Sequence, residues 1–408
     1  MLLSSSSSAQ QETCAARWTH VGVPPADPIL GLKVVFRQDP FTSSKIDLTV
    51  GAYRTNDGEP WVLPAVRVAT ERLLTADHEY LPIDGLPAFT RATQRLMYGD
   101  DVASAVTVQT LSGTGAVRLS LEFLKRFFDA PLYLPRITWS NHFNIARDAG
   151  FADPRTYAYL DDATSRLDFE SMLADLDAAP DGSIVLLHLC AHNPTGVDLT
   201  LPQWEILADL FARKSLLPLF DSAYLGFATG DLDRDAKPFR LFFEKGLAPW
   251  ACVSFSKNFG LYSERVGALH ATVRVEERDA VLGHLKKIAR AMYSNPPAFG
   301  ARIVSTVLED PDLYASWLDS LHVMSDRIFE TRGLLRSHLE NATRDHDWDH
   351  ITSQIGMFCF TGLTKSQVLE LREKHHVYML DNGRVSMAGV NTRNVEPLAA
   401  AIAAVLED

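Results

Sequence analysis

Apolar residues in this chain gather in short, nearly continuous runs at 132–134, 184–190, 217–220 and 250–254, and residues 106–111 and 267–273 read as further strands. Runs of this length without alternation predict strands buried on both faces. Between them, residues 64–75, 87–98, 116–128, 141–149 and 201–213 carry apolar side chains at helical intervals. Strands separated by helices predict an α/β fold, a mainly parallel sheet sandwiched by helices. Ser112-Gly113-Thr114-Gly115 reads as a glycine turn leading into the helix that starts at Ala116. Such a junction offers free N–H groups and the positive end of a helix dipole to an anion. A turn with two glycines is equally explained by steric need.

After residue 273 the pattern changes. Long helical periods run over 276–291, 300–308 and 311–338, then short strands over 357–360, 377–380 and 384–387, with helices at 365–375 and 393–406. At the other end, the prolines at 24, 25 and 28 predict an extended arm, followed by a helix at 29–38 and a short strand at 46–50. The expected organisation is a disordered serine-rich tail at 1–16, an arm and part of a small domain at 17–50, a large domain at 51–310, and a small α+β C-terminal domain at 311–408.

Length supports two domains, since 408 residues exceed the usual single core. Charge narrows the partners: 39 Lys+Arg against 51 Asp+Glu gives −12, which disfavours nucleic acid. An anionic small substrate needs only a few placed arginines and stays open. Cys14, Cys190, Cys252 and Cys359 are far apart, so no zinc pattern forms, and three lie in apolar runs. They read as reduced core residues of an intracellular protein. No apolar run is long enough to cross a membrane. A cytoplasmic protein is expected. The serine-rich start allows a mitochondrial presequence, although its first arginine is Arg17, so the matrix is the alternative.

Polar residues cluster where the apolar runs end. Lys257 follows the run at 250–254, with Ser254 three residues before it and Arg265 eight after. It is either a charge clamp or a carbonyl-reactive amine, deprotonated by burial beside other cations. Asn193 offers an amide donor or a plain Asn-Pro turn. Asp221 suits a protonated nitrogen and Tyr224 an oxygen, or they are a helix cap and a core ring. His346 and His350, among Asp345, Asp347 and Asp349, hint at a metal, but no third ligand type lies near; a polar connection and no metal are expected.

Taken together, the motifs carry a resemblance. They are VGAYR from Val50, EYLPIDGL from Glu79, LSGTGA from Leu111, AHNPTG from Ala191, FDSAY from Phe220, SFSKNFGLY from Ser254, RAMYSNPP from Arg290, GMFCFTGL from Gly356 and NGRV from Asn382. In this order the chain resembles the fold-type I pyridoxal-phosphate enzymes, and within them the class I aspartate aminotransferases. The resemblance runs from Trp18 to the C-terminus. It implies pyridoxal 5′-phosphate as cofactor and Lys257 as the amine that condenses with its aldehyde and later shuttles a proton. It implies Asp221 on the ring nitrogen, with His142 behind it, and Tyr224 and Asn193 on the ring oxygen. Trp139 would stack on the ring. Ser112, Gly113, Thr114, Ser254 and Arg265 would hold the phosphate, joined by Tyr80 from a second subunit. Arg384 would fork the α-carboxylate, Arg290 of a neighbouring subunit the distal one, Phe358 would line the pocket, and Gly51 would sit in a closing segment.

The implied activity is transfer of the amino group of L-aspartate to 2-oxoglutarate by a ping-pong cycle in a homodimer. Aromatic amino acids as further substrates, or a non-catalytic cofactor- or metabolite-binding role, are the alternatives. Leu225, Ser263, Ser140 and Ser386 depart from the usual residues of the family.

Overall fold

The computed structural model describes residues 18–407 apart from 26, 42–44, 50, 162–163 and 344–345. The expected serine-rich tail, Arg17, Cys14, Val50 and Asp345 lie outside the described residues. The centre is a seven-stranded sheet. Its strands are β1 (Ala105–Leu111), β2 (Leu132–Pro135), β3 (Arg155–Tyr157), β4 (Ile184–His188), β5 (Leu217–Ser222), β6 (Trp250–Ser254) and β7 (Val266–Thr272). Their spatial order is β1-β7-β6-β5-β4-β2-β3. β2 to β6 pair in parallel, and β7 runs antiparallel to both neighbours.

The nearly continuous apolar runs have a direct reason. In β4, Ile184 and Leu186 face one core cluster, with Leu119, Phe123 and Leu285 from the helices Ser112–Phe127 and Arg278–Met292. Val185 and Leu187 face the other, with Phe211, Phe239 and Phe242 from the helices Leu201–Lys214 and Leu232–Glu244. Both faces are dry, so side chains of either parity are apolar.

The structure corrects several readings. No separate glycine turn follows β1: the helix begins at Ser112, whose own φ of 61° makes the turn. Gly113 lies inside the helix because that turn passes close to β6; a Cβ there would stand 3.1 Å from Ser254 Cβ. The strand expected at 46–50 is only Ile46–Asp47, paired with Val377–Tyr378. It stops because Asp47 Oδ1 accepts from Thr49 N at 3.0 Å and Thr49 Oγ1 at 2.6 Å. The helix Leu232–Glu244 was not foreseen. Pro238 sits inside it, yet Asp231 caps its start and Leu232, Ala236, Phe239 and Phe242 form its buried stripe. The helix Phe169–Ala178 and strand β3 were likewise missed.

The 32-residue helix Pro311–Ala342 crosses the C-terminal region. Its Arg332 is fully buried, and the guanidinium donates to the carbonyls of Ile351 (2.8 Å), Gly356 (2.9 Å) and Phe358 (2.5 Å). A short antiparallel pair, Phe358–Phe360 with Arg384–Ser386, is thereby tied to this helix, and just before it Ile355 N donates to Gly196 O at 2.7 Å in the loop after β4. Among the described residues, no helix is long and apolar enough to cross a membrane.

Phe242 has no exposed surface and packs on Trp204, Phe211 and Phe220. Phe242→Ala is expected to cost about 3–5 kcal/mol of stability. Leu74→Ala, at a side chain 75% exposed, should stay within about 0.5 kcal/mol. Urea unfolding of both variants checks the contrast.

Candidate active site

The ends of β1, β4, β5 and β6 converge on one cavity of about 220 Å³. Its lining includes Gly51, Ser112, Gly113, Thr114, Trp139, Asn193, Asp221, Tyr224, Ser254, Lys257, Arg265, Phe358 and Arg384. Crevices beyond the carboxyl ends of strands are where open α/β sheets hold ligands. The register explains the convergence on its parallel side: His188 of β4 lies beside Asp221 of β5, and Asp221 beside Cys252 of β6.

Asp221 is 8% exposed. His142 Nε2 lies 3.1 Å from its Oδ2. A carboxylate only accepts, so Nε2 carries the hydrogen. His142 Nδ1 is then free to accept from Thr138 Oγ1 at 2.9 Å, and Thr138 Oγ1 to accept from His188 Nε2 at 2.8 Å. Burial alone would raise the Asp221 carboxyl. The hydrogen bond from His142, with His188 and Lys257 nearby, outweighs it and holds the carboxyl below its usual range.

Lys257 Nζ sits over the Tyr224 ring, 5.1 Å from its centroid. Burial pulls its ammonium down to about 8; Asp221 pushes it up, while Arg265 and Arg384 push it down. Tyr224 is 3% exposed, and burial drives its phenol far above the usual value, so it stays a donor.

At one end of the cavity stands an anion cradle. Ser112 Oγ lies 3.0 Å from both Ser254 Oγ and Ser256 Oγ, at the N-terminus of a 16-residue helix. Arg265 is at the rim, with φ of 54°, and its carbonyl accepts from Ser112 N at 3.1 Å. Two non-glycine residues with positive φ meet here, an arrangement that surrounding structure must enforce. Gly267 permits it: a Cβ there would come within 2.4 Å of the Ser112 carbonyl carbon.

At the other end is Arg384, 2% exposed, its pKa lowered to about 10 by burial yet still charged at neutral pH. Nη2 donates to Thr49 O at 2.9 Å and Nη1 to Asn193 Oδ1 at 3.5 Å. The Phe358 ring lies 4.1 Å below its Cζ. Nε is buried and has no hydrogen-bond partner among the described residues.

Tyr80 and Arg290 are not in this cavity. Tyr80 is 88% exposed, and Arg290 is exposed at a helix end, donating to Ser294 Oγ. Ser256, Ile29 and Ala223 line the cavity and were missed, as was the Thr138–His188 relay. Ser256 belongs to the same serine-rich turn as Ser254, so its spacing from Lys257 was the available signal. Of the departures, Ser140 and Ser263 are exposed, Leu225 is buried, and Ser386 is buried with no partner for its Oγ among the described residues.

The amine predicts its own titration. In protein freed of ligand, the rate at which an amine reagent modifies Lys257 should have its midpoint near pH 8, against 10.5 for an ordinary lysine. About a tenth would be reactive at pH 7 and about nine tenths at pH 9. Peptide mapping of the modified protein checks it; a midpoint above 10 would contradict the burial argument.

Comparison with known proteins agrees with this geometry. The sequence model of the family described as aminotransferase class I and II matches residues 43–402. The chain is 47% identical to the cytoplasmic aspartate aminotransferase of Dictyostelium discoideum, covering 95% of this chain and 90% of that one. It is also 47% identical to the mitochondrial aspartate aminotransferase of Arabidopsis thaliana, covering 94% and 91%. Equal identity to both kinds selects no compartment. Among solved structures, an aromatic-amino-acid aminotransferase from Burkholderia pseudomallei, covalently bound to pyridoxal phosphate, superposes with a TM-score of 0.92 at 40% identity, covering 95% of this chain and 99% of that one. A match over nearly the whole length, on a sheet whose strand ends form such a cavity, means that this chain belongs to the class I and II aminotransferases.

Proposed function

We propose that this protein is a pyridoxal-phosphate-dependent aspartate aminotransferase. It moves the amino group of L-aspartate to 2-oxoglutarate, giving oxaloacetate and L-glutamate by a ping-pong cycle. The observation that carries this reading is one cavity holding a buried amine of lowered pKa between an anion cradle and a buried arginine whose Nε has no hydrogen-bond partner among the described residues. The residues fit the cofactor. The hydroxyls of Ser112, Ser254 and Ser256, the helix N-terminus and Arg265 suit a phosphate; Asp221 suits a protonated ring nitrogen; Tyr224 and Asn193 suit a ring oxygen; Trp139 supplies a flat wall. When bound, pyridoxal phosphate supplies an aldehyde for the amino group and a ring that withdraws electrons from the carbon bearing it.

The chain does the rest. Lys257 Nζ, unprotonated in a useful fraction near neutrality, removes the proton from the substrate Cα. Asp221, kept charged by His142, holds the proton on the ring nitrogen. Asn193 turns its amide oxygen toward Arg384, because a guanidinium only donates, which leaves Nδ2 as a donor. Arg384 forks the substrate α-carboxylate with its guanidinium. Phe358 packs under the guanidinium and keeps water from that side. A non-catalytic binding role leaves the lowered amine without a purpose.

The distal carboxylate needs a second cation, and here the reading requires a homodimer. Arg290 and Tyr80 stand exposed and away from this chain's own cavity, as residues lent to a neighbour would. A second reading, a broader enzyme that also accepts aromatic amino acids, is favoured by the 40% identity to the aromatic enzyme above.

Steady-state kinetics separate the two readings. kcat/KM for aspartate should exceed that for phenylalanine; an equal or higher phenylalanine value favours the broader enzyme. Arg290→Ala should lower kcat/KM for aspartate at least ~30-fold, since truncating one partner of a buried charge pair costs about 2 kcal/mol or more. Phenylalanine should lose far less, and equal losses would mean that Arg290 never meets the distal group. For the shared site, Lys257→Ala and Arg290→Ala chains are unfolded together and refolded as a mixture. About a quarter of the parent activity toward aspartate should return, because half the dimers carry one complete site. No recovery would contradict a site built from two subunits.

A further inference from the structure

Lys257 is followed by Asn258, a polar residue with no exposed surface and no role in the reading above. Its Nδ2 donates to the carbonyl of Leu225 at 3.0 Å. Leu225 directly follows Tyr224, so this bond joins the turn that carries the amine to the turn that carries the phenol. The main-chain carbonyl of Asn258 accepts from Trp317 Nε1 at 2.7 Å. Its Oδ1 is buried without a hydrogen-bond partner among the described residues.

Each turn also has contacts of its own. On the lysine side, Gly260 N donates to Lys257 O at 3.1 Å, and Phe259 stacks on Trp317 with centroids 4.5 Å apart. On the tyrosine side, buried Asp235 accepts from Gly226 N at 2.8 Å and Ala228 N at 3.3 Å. Each turn is pinned to its own support, and the Asn258 amide fixes one relative to the other. An amide that leaves its oxygen unpaired in the core is poorly suited to a purely stabilising task. A lysine chain has four flexible carbons, so the placement of its amine depends on where its turn is held.

We propose that Asn258 is a positioning residue whose amide sets the spacing of the Lys257 amine from the Tyr224 ring, and through it the reactivity of that amine. The inference rests on Lys257 being the reactive amine of the proposed function. Around that amine stand Asp221, Tyr224, Arg265 and Arg384, none of which is itself the hydrogen-bond partner of the Asn258 amide. Without the bond to Leu225, the lysine turn shifts, the amine regains solvent, and protonation becomes easier.

The test is Asn258→Leu, which keeps the branched shape and removes the donor. In protein freed of cofactor, the midpoint of Lys257 modification should move up by at least ~0.5 pH unit toward the ordinary value. In the loaded enzyme, kcat with aspartate should fall ~10-fold or more while KM changes less than ~3-fold, since Arg384 is untouched. Thermal melting is measured alongside. A merely structural role lowers the melting point and leaves the titration where it was, and a folded variant whose midpoint stays within ~0.2 unit of the parent overturns the proposal. Should the leucine variant fail to fold, Asn258→Ser, which keeps a small polar group but cannot reach Leu225, is judged by the same midpoint. If the parent itself fails to transaminate, the proposed function falls, while the titration still decides the part played by Asn258.

Discussion

Keeping a carboxylate charged inside the core is the constraint on which the site depends. Asp221 lies at the end of a strand with both faces covered, where burial alone favours the neutral acid. His142 reverses that preference with one hydrogen bond, and Thr138 and His188 fix which nitrogen of His142 carries the proton. The charge so maintained draws the Lys257 ammonium up, against burial and two arginines that push it down. The outcome is an amine near 8, poised for proton transfer around neutrality. Remove the histidine and both groups drift toward their neutral forms.

The cavity is assembled from distant parts of the chain because each supplies something the others cannot. Parallel strands end on one side and so bring Asp221, at the end of β5, together with Asn193 and Lys257 in the loops after β4 and β6. The helix from Ser112 supplies backbone donors, but only because Ser112 and Arg265 take a left-handed backbone beside Gly267. The C-terminal pair of strands supplies Arg384 and Phe358, held in turn by the buried Arg332 on the longest helix. Rigid supports of this kind suit a site whose electrostatics must be in place before a ligand arrives.

Much of this was legible in the residues themselves. Doubly buried strands announce themselves as nearly continuous apolar runs, and polar residues that interrupt them must have a reason to be there. Lys257, Asp221 and Asn193 were found this way. The amphipathic helices with clean boundaries were equally plain. The helix Leu232–Glu244 was hidden by Pro238, because a local breaker says nothing about the cap at Asp231 or the buried stripe that outweigh it. The glycines at 113 and 115 suggested a turn but serve close packing inside a helix.

By itself, the sequence determined the α/β class, the polar residues at the strand ends and the order of the motifs, because periodicity and burial are local signals. The residues around Lys257 left it as either a clamp or an amine, and the resemblance carried by the motifs implied the amine. Only the tertiary structure decided its environment: a shared cavity with Asp221, Arg265 and Arg384, a lowered pKa, and a turn tied to that of Tyr224. Those depend on distances between residues far apart in the chain, and on a dielectric that no local pattern encodes.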